Sequence, residues 1–345
     1  VVVCLTWLLP GLVGHDPWKV DEAVAFGAVT EMLRSGDWLV FRIAGEPYLE
    51  KAPLFFWVSA SFANLFGALL PLHDAARLAS GFFMAATMGL LALACHELIG
   101  ERAVRLGVLL FIGSVGLLIR AHEMTTDLAG LAGIAAALYG LALAMRRPVA
   151  GGAVLGLGMG IAFLGDGLLA LGMLVLLVAL LPLVGATWRR GDYGITAAVA
   201  TACAAPLVAS WPLLLRFGAP ASLPAWLGHA LASPWDPAGL AYFLKALPWY
   251  AWPAWPLAAW TLWRSRRVLR ERPQVQLPLF AFAAFFIAIS LFGESREVNA
   301  MPLLLPLALL GVAELESLPR GAASALDWFG MTTFFLLATL IWIAW

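Results

Sequence analysis

Long apolar stretches recur along the whole chain, around 75–95, 128–145, 167–187, 194–215, 239–263 and 322–345. Several reach the roughly 20 residues that a spanning helix requires. Segments of about ten residues alternating polar and apolar, the mark of a membrane β-barrel, do not occur. The pattern predicts an all-α polytopic membrane protein. Its longest polar interruption runs from His15 to Lys51. Within it, DEAVAFGAVTEMLRSGDW starts a helix at Asp21 and Glu22 and stops it at Ser35 and Gly36. The bland role for Asp21 there is to satisfy free backbone N–H groups at the helix N-terminus. Segment 54–70 is short, carries Ser59, Ser61 and Asn64, and follows Pro53. That suits an interfacial helix that does not cross.

Charge fixes the orientation. With 54–70 left uncrossed, one side collects Arg102 and Arg105, Arg146 and Arg147, Arg189 and Arg190, the run Arg264 to Arg272, and Arg320. These are twelve of the 21 Lys and Arg residues, in short loops, and the positive-inside rule makes that side cytoplasmic. About eleven transmembrane helices are then expected, near 1–13, 75–95, 105–120, 128–145, 151–165, 167–187, 194–215, 239–263, 277–292, 300–314 and 322–345, as a single domain over 1–345. Residues 14–74 form the first extracytoplasmic loop with its interfacial helices. The opposite face gathers His15 to Lys51, His122 to Asp127, Gly165 to Gly167, the 216–238 loop, and Glu294 to Asn299. Acidic groups beside a bilayer need water or partners, which predicts a shared aqueous cavity.

Composition agrees with lipid as the solvent: 62% of residues are hydrophobic and 12% charged. A formal net charge of zero gives no electrostatic case for nucleic acid. Cys4, Cys95 and Cys203 stand singly in apolar runs, as small packed side chains rather than a metal or redox set. An apolar run at Val1 without Met or a basic leader, and another ending at Trp345, lead us to expect a sequence trimmed at both ends.

Candidate chemistry concentrates on the polar face. GEPYLEKAPL holds Glu50 and Lys51 at headgroup depth, where Lys51 either snorkels to lipid phosphate or fixes the phosphate of a lipid-linked substrate. His122 and Glu123 lie near Asp127, and His15 and Asp16 near Asp21, so a divalent metal bridging the two loops is chemically allowed, without a recognised ligand spacing. Glu22 and Asp166 add acids to the same presumed cavity. Arg77 and Arg120 suit lipid headgroups or catalysis. His73, His96 and His229 have no partner readable from sequence. The segment Pro248 to Pro253 is an interfacial aromatic belt or the lining of a groove for a polyprenyl chain.

The stretch DEAVAFGAVTEMLRSGDWLVFRIAGEPYLEKAPLFFWVSASFANLFG resembles the first extracytoplasmic loop of the aminoarabinose-transferase and protein-O-mannosyltransferase group of polyprenyl-phosphate-dependent glycosyltransferases. The resemblance continues through Ala76-Arg77-Leu78, Thr125-Thr126-Asp127, FLGDG at 163–167, LPWYAWP at 247–253 and SREVNAMPLLLPLALL at 295–310. It implies the C-type glycosyltransferase fold, Asp21 as the active-centre acid, Asp127 as the second extracytoplasmic acid, and Lys51 as the lysine for the lipid phosphate. It also implies localisation to the bacterial inner membrane, with lipid A modification among the activities of the group. The chain departs from the pattern in three places: EKAP stands for EKPP, no acid follows the DE pair by a turn, and Gly165-Asp166-Gly167 stands where relatives commonly read TKGP.

This reading implies an inverting glycosyltransferase that moves a sugar from a polyprenyl-phosphate donor to an extracytoplasmic lipid, glycan or protein. Asp21 would act as general base with Asp127 beside it, and Lys51, Arg296 and Glu50 would sit at the donor phosphate. Two other readings stand against it. A transporter or flippase would carry charges at mid-bilayer and repeated halves, whereas these acids lie at helix ends. A non-catalytic, lipid-binding relative would tolerate Asp166 and the missing acid.

Overall fold

The computed structural model describes residues 2–189, 191–232 and 238–344. Part of the 216–238 loop, Arg190 and the two terminal residues of the expected first and last spans therefore lie outside the described residues. The first helix, α1 (Val2–Leu8), has seven residues and is about 10 Å long, well short of the span expected over 1–13. The polar interruption then forms α2 (Val20–Ser35), closed by Gly36 in the left-handed region with its N–H on the Met32 carbonyl. That is the stop expected at Ser35 and Gly36. A two-residue ladder, β1 (Arg42–Ile43) with β2 (Glu46–Pro47), follows. It turns on Ala44 and Gly45, both at positive φ, and is a feature the all-α expectation did not contain. The segment expected not to cross forms α3 (Leu54–Phe66), whose 13 residues extend about 20 Å.

The remaining helices are α4 (Leu72–Leu98), α5 (Glu101–Ile112), α6 (Leu117–Arg120), α7 (Asp127–Ala144), α8 (Pro148–Val184), α9 (Gly191–Gly218), α10 (Ser222–Leu231), α11 (Gly239–Tyr250), α12 (Ala254–Ser265), α13 (Pro273–Phe292), α14 (Met301–Ala313) and α15 (Arg320–Ala344). Among the described residues, α4, α7, α8, α9 and α13 are long and apolar enough to cross a membrane. The expected spans over 105–120 and 239–263 are instead short helices separated by breaks. The two breaks satisfy each other: Val115 N–H bonds the Trp252 carbonyl and Gly116 N–H the Tyr250 carbonyl. Irregular backbone between apolar helices is tolerable where another protein segment supplies its hydrogen bonds.

As one straight rod, α8 would be about 55 Å long, nearly twice the thickness of a bilayer core. It folds back at Gly167, whose φ of 78° and ψ of −152° leave the helical region. Both ends of the segment meet the start of α9. Thr196 Oγ1 donates to the Pro148 carbonyl and Tyr193 Oη to the Val178 carbonyl. The separate expected spans 151–165 and 167–187 are thus the two arms of a hairpin.

The centre of the bundle is α7, 94% buried over its apolar window. Glycines of α7 and of the first arm of α8 make a seam between them, where added Cβ atoms would strike the neighbour: Gly133 and Gly140 of α7 against Ala162 and Leu155, and Gly158 of α8 against Ala137. Small residues let backbones approach closely where no hydrophobic drive separates helix from lipid. That antiparallel register continues to Gly130, which packs on Asp166, three residues past Asp127. The seam therefore places two acids from different spans together.

Charged groups separate to the two ends. Glu97 with Arg146 closes α4 against α7, Arg272 with Glu314 ties α13 to α14, and Arg102 approaches Glu316. All belong to the basic loops predicted to share one side. Lys51, Asp127, Asp166 and Arg296 meet at the opposite end.

Candidate functional site

Asp21 lies in the first turn of α2, but the helix N-terminus has no side-chain cap. Its Oδ2 instead accepts from Arg296 Nη2 at 2.5 Å, and Arg120 Nη1 stands 3.8 Å from the same oxygen. The bland capping role is therefore not the one observed. Bonding to Asp21 raises the Arg296 pKa further above its ordinary value. Arg120 also bonds Glu123 Oε2 at 3.0 Å, and Glu123 pairs with Lys19. An ordered chain of charges thus runs from Lys19 to Arg296.

Lys51 enters from the loop before α3, Nζ 4.0 Å from Asp127 Oδ1. The Asp127 carboxylate raises the Lys51 pKa well above the ordinary lysine value, against burial, which pulls the other way. Thr125 Oγ1 donates to the second Asp127 oxygen, fixing the carboxylate at the start of α7. Asp21, Tyr48, Glu50, Lys51, Thr125, Asp127, Glu294 and Arg296 line a cavity of about 260 Å³. Burial raises the Tyr48 pKa above that of an ordinary tyrosine.

A second, larger hollow of about 630 Å³ adjoins the first through Glu50, Lys51, His229 and Glu294. Away from those residues its walls are mostly apolar, with Phe163, Leu169, Leu176, Trp211, Trp226, Ile287 and Phe292, and Asp166 opens into it. None of Pro248 to Pro253 lines this hollow. That segment divides, with Trp249 outward and Tyr250 buried against Gly116.

Of the expected site residues, Asp21, Lys51, Glu50, Asp127 and Arg296 share the smaller cavity, with Asp166 in the adjoining one. Glu22, His122 and Glu123 do not line either. Glu22 is fully buried, with Oε1 accepting from Arg77 Nε at 2.7 Å and from Met124 N at 3.4 Å. Arg77 in turn bonds Asp74 at 2.8 Å, so it serves neither headgroups nor substrate. Both ring nitrogens of His122 face carbonyl oxygens, of Trp7 and Leu118, and those of His15 face Gly11 and Asp16. The metal bridge that the sequence allowed between the two loops is not assembled: among the described residues no three His, Cys, Asp or Glu side chains converge to hold an ion. Tyr48 and His229 were missed as lining residues, while Glu294 was placed on the cavity face only as the start of the 294–299 segment. Only Tyr48 carried a usable signal, three positions before Lys51 in a motif already singled out.

No family model matches the chain. Relatives are found by sequence. An undecaprenyl phosphate-α-4-amino-4-deoxy-L-arabinose arabinosyl transferase of Serratia proteamaculans is 28% identical over 330 residues, 92% of this chain and 58% of that one. A second, from Sodalis glossinidius, is 30% identical over 334 residues, covering 90% of this chain and 57% of the relative. The chain therefore spans less than two thirds of either relative. In fold it is similar to ArnT of Cupriavidus metallidurans bound to undecaprenyl phosphate, with a TM-score of 0.78 at 22% identity over 94% of this chain and 61% of ArnT. An oligosaccharyltransferase of Archaeoglobus fulgidus matches at TM-score 0.61 and 14% identity, over 97% of this chain and 51% of its own. Across nine tenths of its length the chain is thus similar in sequence to these two undecaprenyl-phosphate aminoarabinose transferases, and it shares its fold with ArnT and with the archaeal oligosaccharyltransferase.

Proposed function

We propose that this chain is an inverting glycosyltransferase of the bacterial inner membrane that moves a sugar from a polyprenyl-phosphate donor to an extracytoplasmic acceptor. One observation carries the reading. Two carboxylates, Asp21 and Asp127, and two cations, Lys51 and Arg296, line one polar cavity that opens beside an apolar hollow. The hollow suits a prenyl tail, and the cations suit the phosphate that leaves. Phosphate is already a good leaving group, so the protein must stabilise its growing charge and take the acceptor's proton.

In the proposed step the acceptor oxygen attacks the anomeric carbon opposite the phosphate, the C–O bond to phosphate breaks, and configuration inverts. Asp21 takes the acceptor proton. Asp127, held by Thr125, orients the acceptor. The relatives' names favour an undecaprenyl donor and an aminopentose, hence a pentosyl transfer; lipid A is the acceptor we propose on the resemblance alone.

The proposed topology keeps about eleven crossings, the Gly167 hairpin counting as two, with the cavity on the extracytoplasmic face. The separation of the basic loops from the cavity end supports it through the positive-inside rule.

The test is direct. The purified full chain, given a polyprenyl-phosphate sugar and a lipid acceptor in detergent, is expected to release polyprenyl phosphate and glycosylated acceptor. Asp21→Asn lowers turnover by about 10²–10⁴-fold, the range for a general base. Full turnover by that variant removes Asp21 from the role, and no release by the wild type removes the reading.

A further inference from the structure

One of the two carboxylate oxygens of Asp21 is already engaged by a cation. Its Oδ2 already accepts a guanidinium N–H from Arg296 at 2.5 Å, so that oxygen is turned toward a cation and not toward an acceptor hydroxyl. Lys51, the other cation of the cavity, rests on Asp127. Each carboxylate is therefore covered by one of the two groups assigned to the donor phosphate.

The two arginines at Asp21 are not held alike. Arg120 is anchored from behind by buried Glu123 at 3.0 Å, and stands 3.8 Å from Asp21. Arg296 precedes a single 3-10 turn, Glu297–Ala300, and its side chain is 41% exposed. Its other carboxylate neighbour, Glu294, is 3.7 Å away and more exposed still. Of the two, Arg296 is the one free to leave. Its planar fork matches phosphate oxygens as well as it matches a carboxylate.

We propose that Arg296 is a positioning residue that covers Asp21 in the resting site and exchanges it for the donor phosphate, so that donor binding uncovers the base. This rests on the glycosyltransferase reading. With Arg296 and Lys51 drawn to the phosphate, Asp21 Oδ2 is open to the acceptor proton. The acceptor O–C bond forms as the C–O bond to phosphate breaks, the electron pair leaves on phosphate, and the proton passes to Asp21 and then to solvent. Arg120 stays with Glu123 throughout. The consequence is an order of events in which an acceptor arriving first meets a covered base.

The exchange is tested by binding of a short-chain polyprenyl phosphate to the full chain in detergent, followed by quenching of tryptophan fluorescence. If Arg296 must leave Asp21 to bind phosphate, Asp21→Asn removes the competitor and tightens binding by about tenfold, a typical coupling for a close charged pair. In an Arg296→Gln background the same change then gives no gain. Equal gains in the two backgrounds, or no gain from Asp21→Asn alone, overturn the exchange. Should Arg296→Gln fail to fold, Arg296→Lys takes its place. Its single-pronged ammonium keeps the charge, so simple charge removal still predicts the full gain, and a gain of at most about threefold marks the exchange. A second readout is the ratio of donor hydrolysis to transfer. It rises in Arg296→Gln, where Asp21 is uncovered before the acceptor arrives, and falls back in the double variant with Asp21→Asn. Hydrolysis and transfer falling together in Arg296→Gln overturn the exchange. A wild-type chain that turns over donor while the cycle is additive loses only the exchange. A wild-type chain that neither binds polyprenyl phosphate nor turns over donor loses the glycosyltransferase reading itself.

Discussion

Lys51 Nζ stands 4.0 Å from Asp127 Oδ1, joining the loop before α3 to the first residue of the central helix α7. The Asp127 carboxylate is the larger influence on Lys51 and raises its pKa. The sign follows. A lysine whose folded value exceeds its unfolded one, about 10.4, contributes stability fully below that value and loses it as pH rises through the folded one. Lys51 therefore stays charged across the working range. The kcat/KM profile for donor is expected to show no alkaline limb from Lys51 below about pH 10. Replacement by Arg leaves the profile's shape unchanged, and replacement by Met raises the donor KM. A limb below pH 9 that moves in Lys51→Arg would assign that titration to Lys51 and contradict the geometry.

Asp166 brings an acid into the hollow where the donor is placed. In its ionised form Asp166 opposes binding of an anionic donor in a medium of reduced dielectric, so the effect is read at a pH where the carboxyl is charged. Asp166→Asn is expected to lower the donor KM several-fold with little change in kcat, the pattern of an effect on ground-state and transition-state binding alike. Steady-state kinetics with donor varied at saturating acceptor decide this. A raised KM would instead mark Asp166 as a donor contact.

Glu22, Arg77 and Asp74 form a buried ionic group behind the cavity, with Glu22 and Arg77 fully buried. Glu22 also receives Met124 N–H, which links α2 to the segment leading into Asp127. Removing one member leaves an uncompensated buried charge, a cost of about 3–5 kcal/mol. Arg77→Met is expected to lower the unfolding temperature in detergent markedly, and Glu22→Gln less, because the amide still accepts from Arg77. An Arg77→Met chain as stable as wild type would show the group to be dispensable for the fold.

The sequence carried unequal amounts of this. Apolar run length and the basic loops were enough to predict helices, the segregated ends and a short helix over 54–70, because those depend on composition over many residues. Asp21, Lys51 and Asp127 were legible because each sits in a short motif. Arg77 was not, since its partner Glu22 lies 55 positions away and burial cannot be seen in an isolated Ala-Arg-Leu. His122 looked like a ligand for the same reason. Its nearest carbonyl, that of Trp7, is 115 positions distant. The breaks near 113–116 and 251–253 were hidden because hydropathy averages over them. Their stability comes from hydrogen bonds between the two breaks.

Gly167 shows how one backbone position sets the site. At φ 78° and ψ −152° it occupies a region that residues bearing a Cβ adopt only with strain, on the order of 1–3 kcal/mol. Yet an added methyl would meet nothing within 4 Å, so any cost of substitution is conformational and not steric. The hairpin at Gly167 returns the chain beside its own first arm and leaves Asp166 at the apex, against Gly130. Gly167→Ala is expected to destabilise the protein by that amount and to raise the donor KM by shifting Asp166 and the hollow's wall. Gly89→Ala, at a helical position of α4 with open space around it, is expected to leave both unchanged. Thermal unfolding and donor titration of the two variants side by side make the comparison. Equal behaviour would mean that the reversal tolerates an ordinary residue, and that Gly167 does not set the position of Asp166.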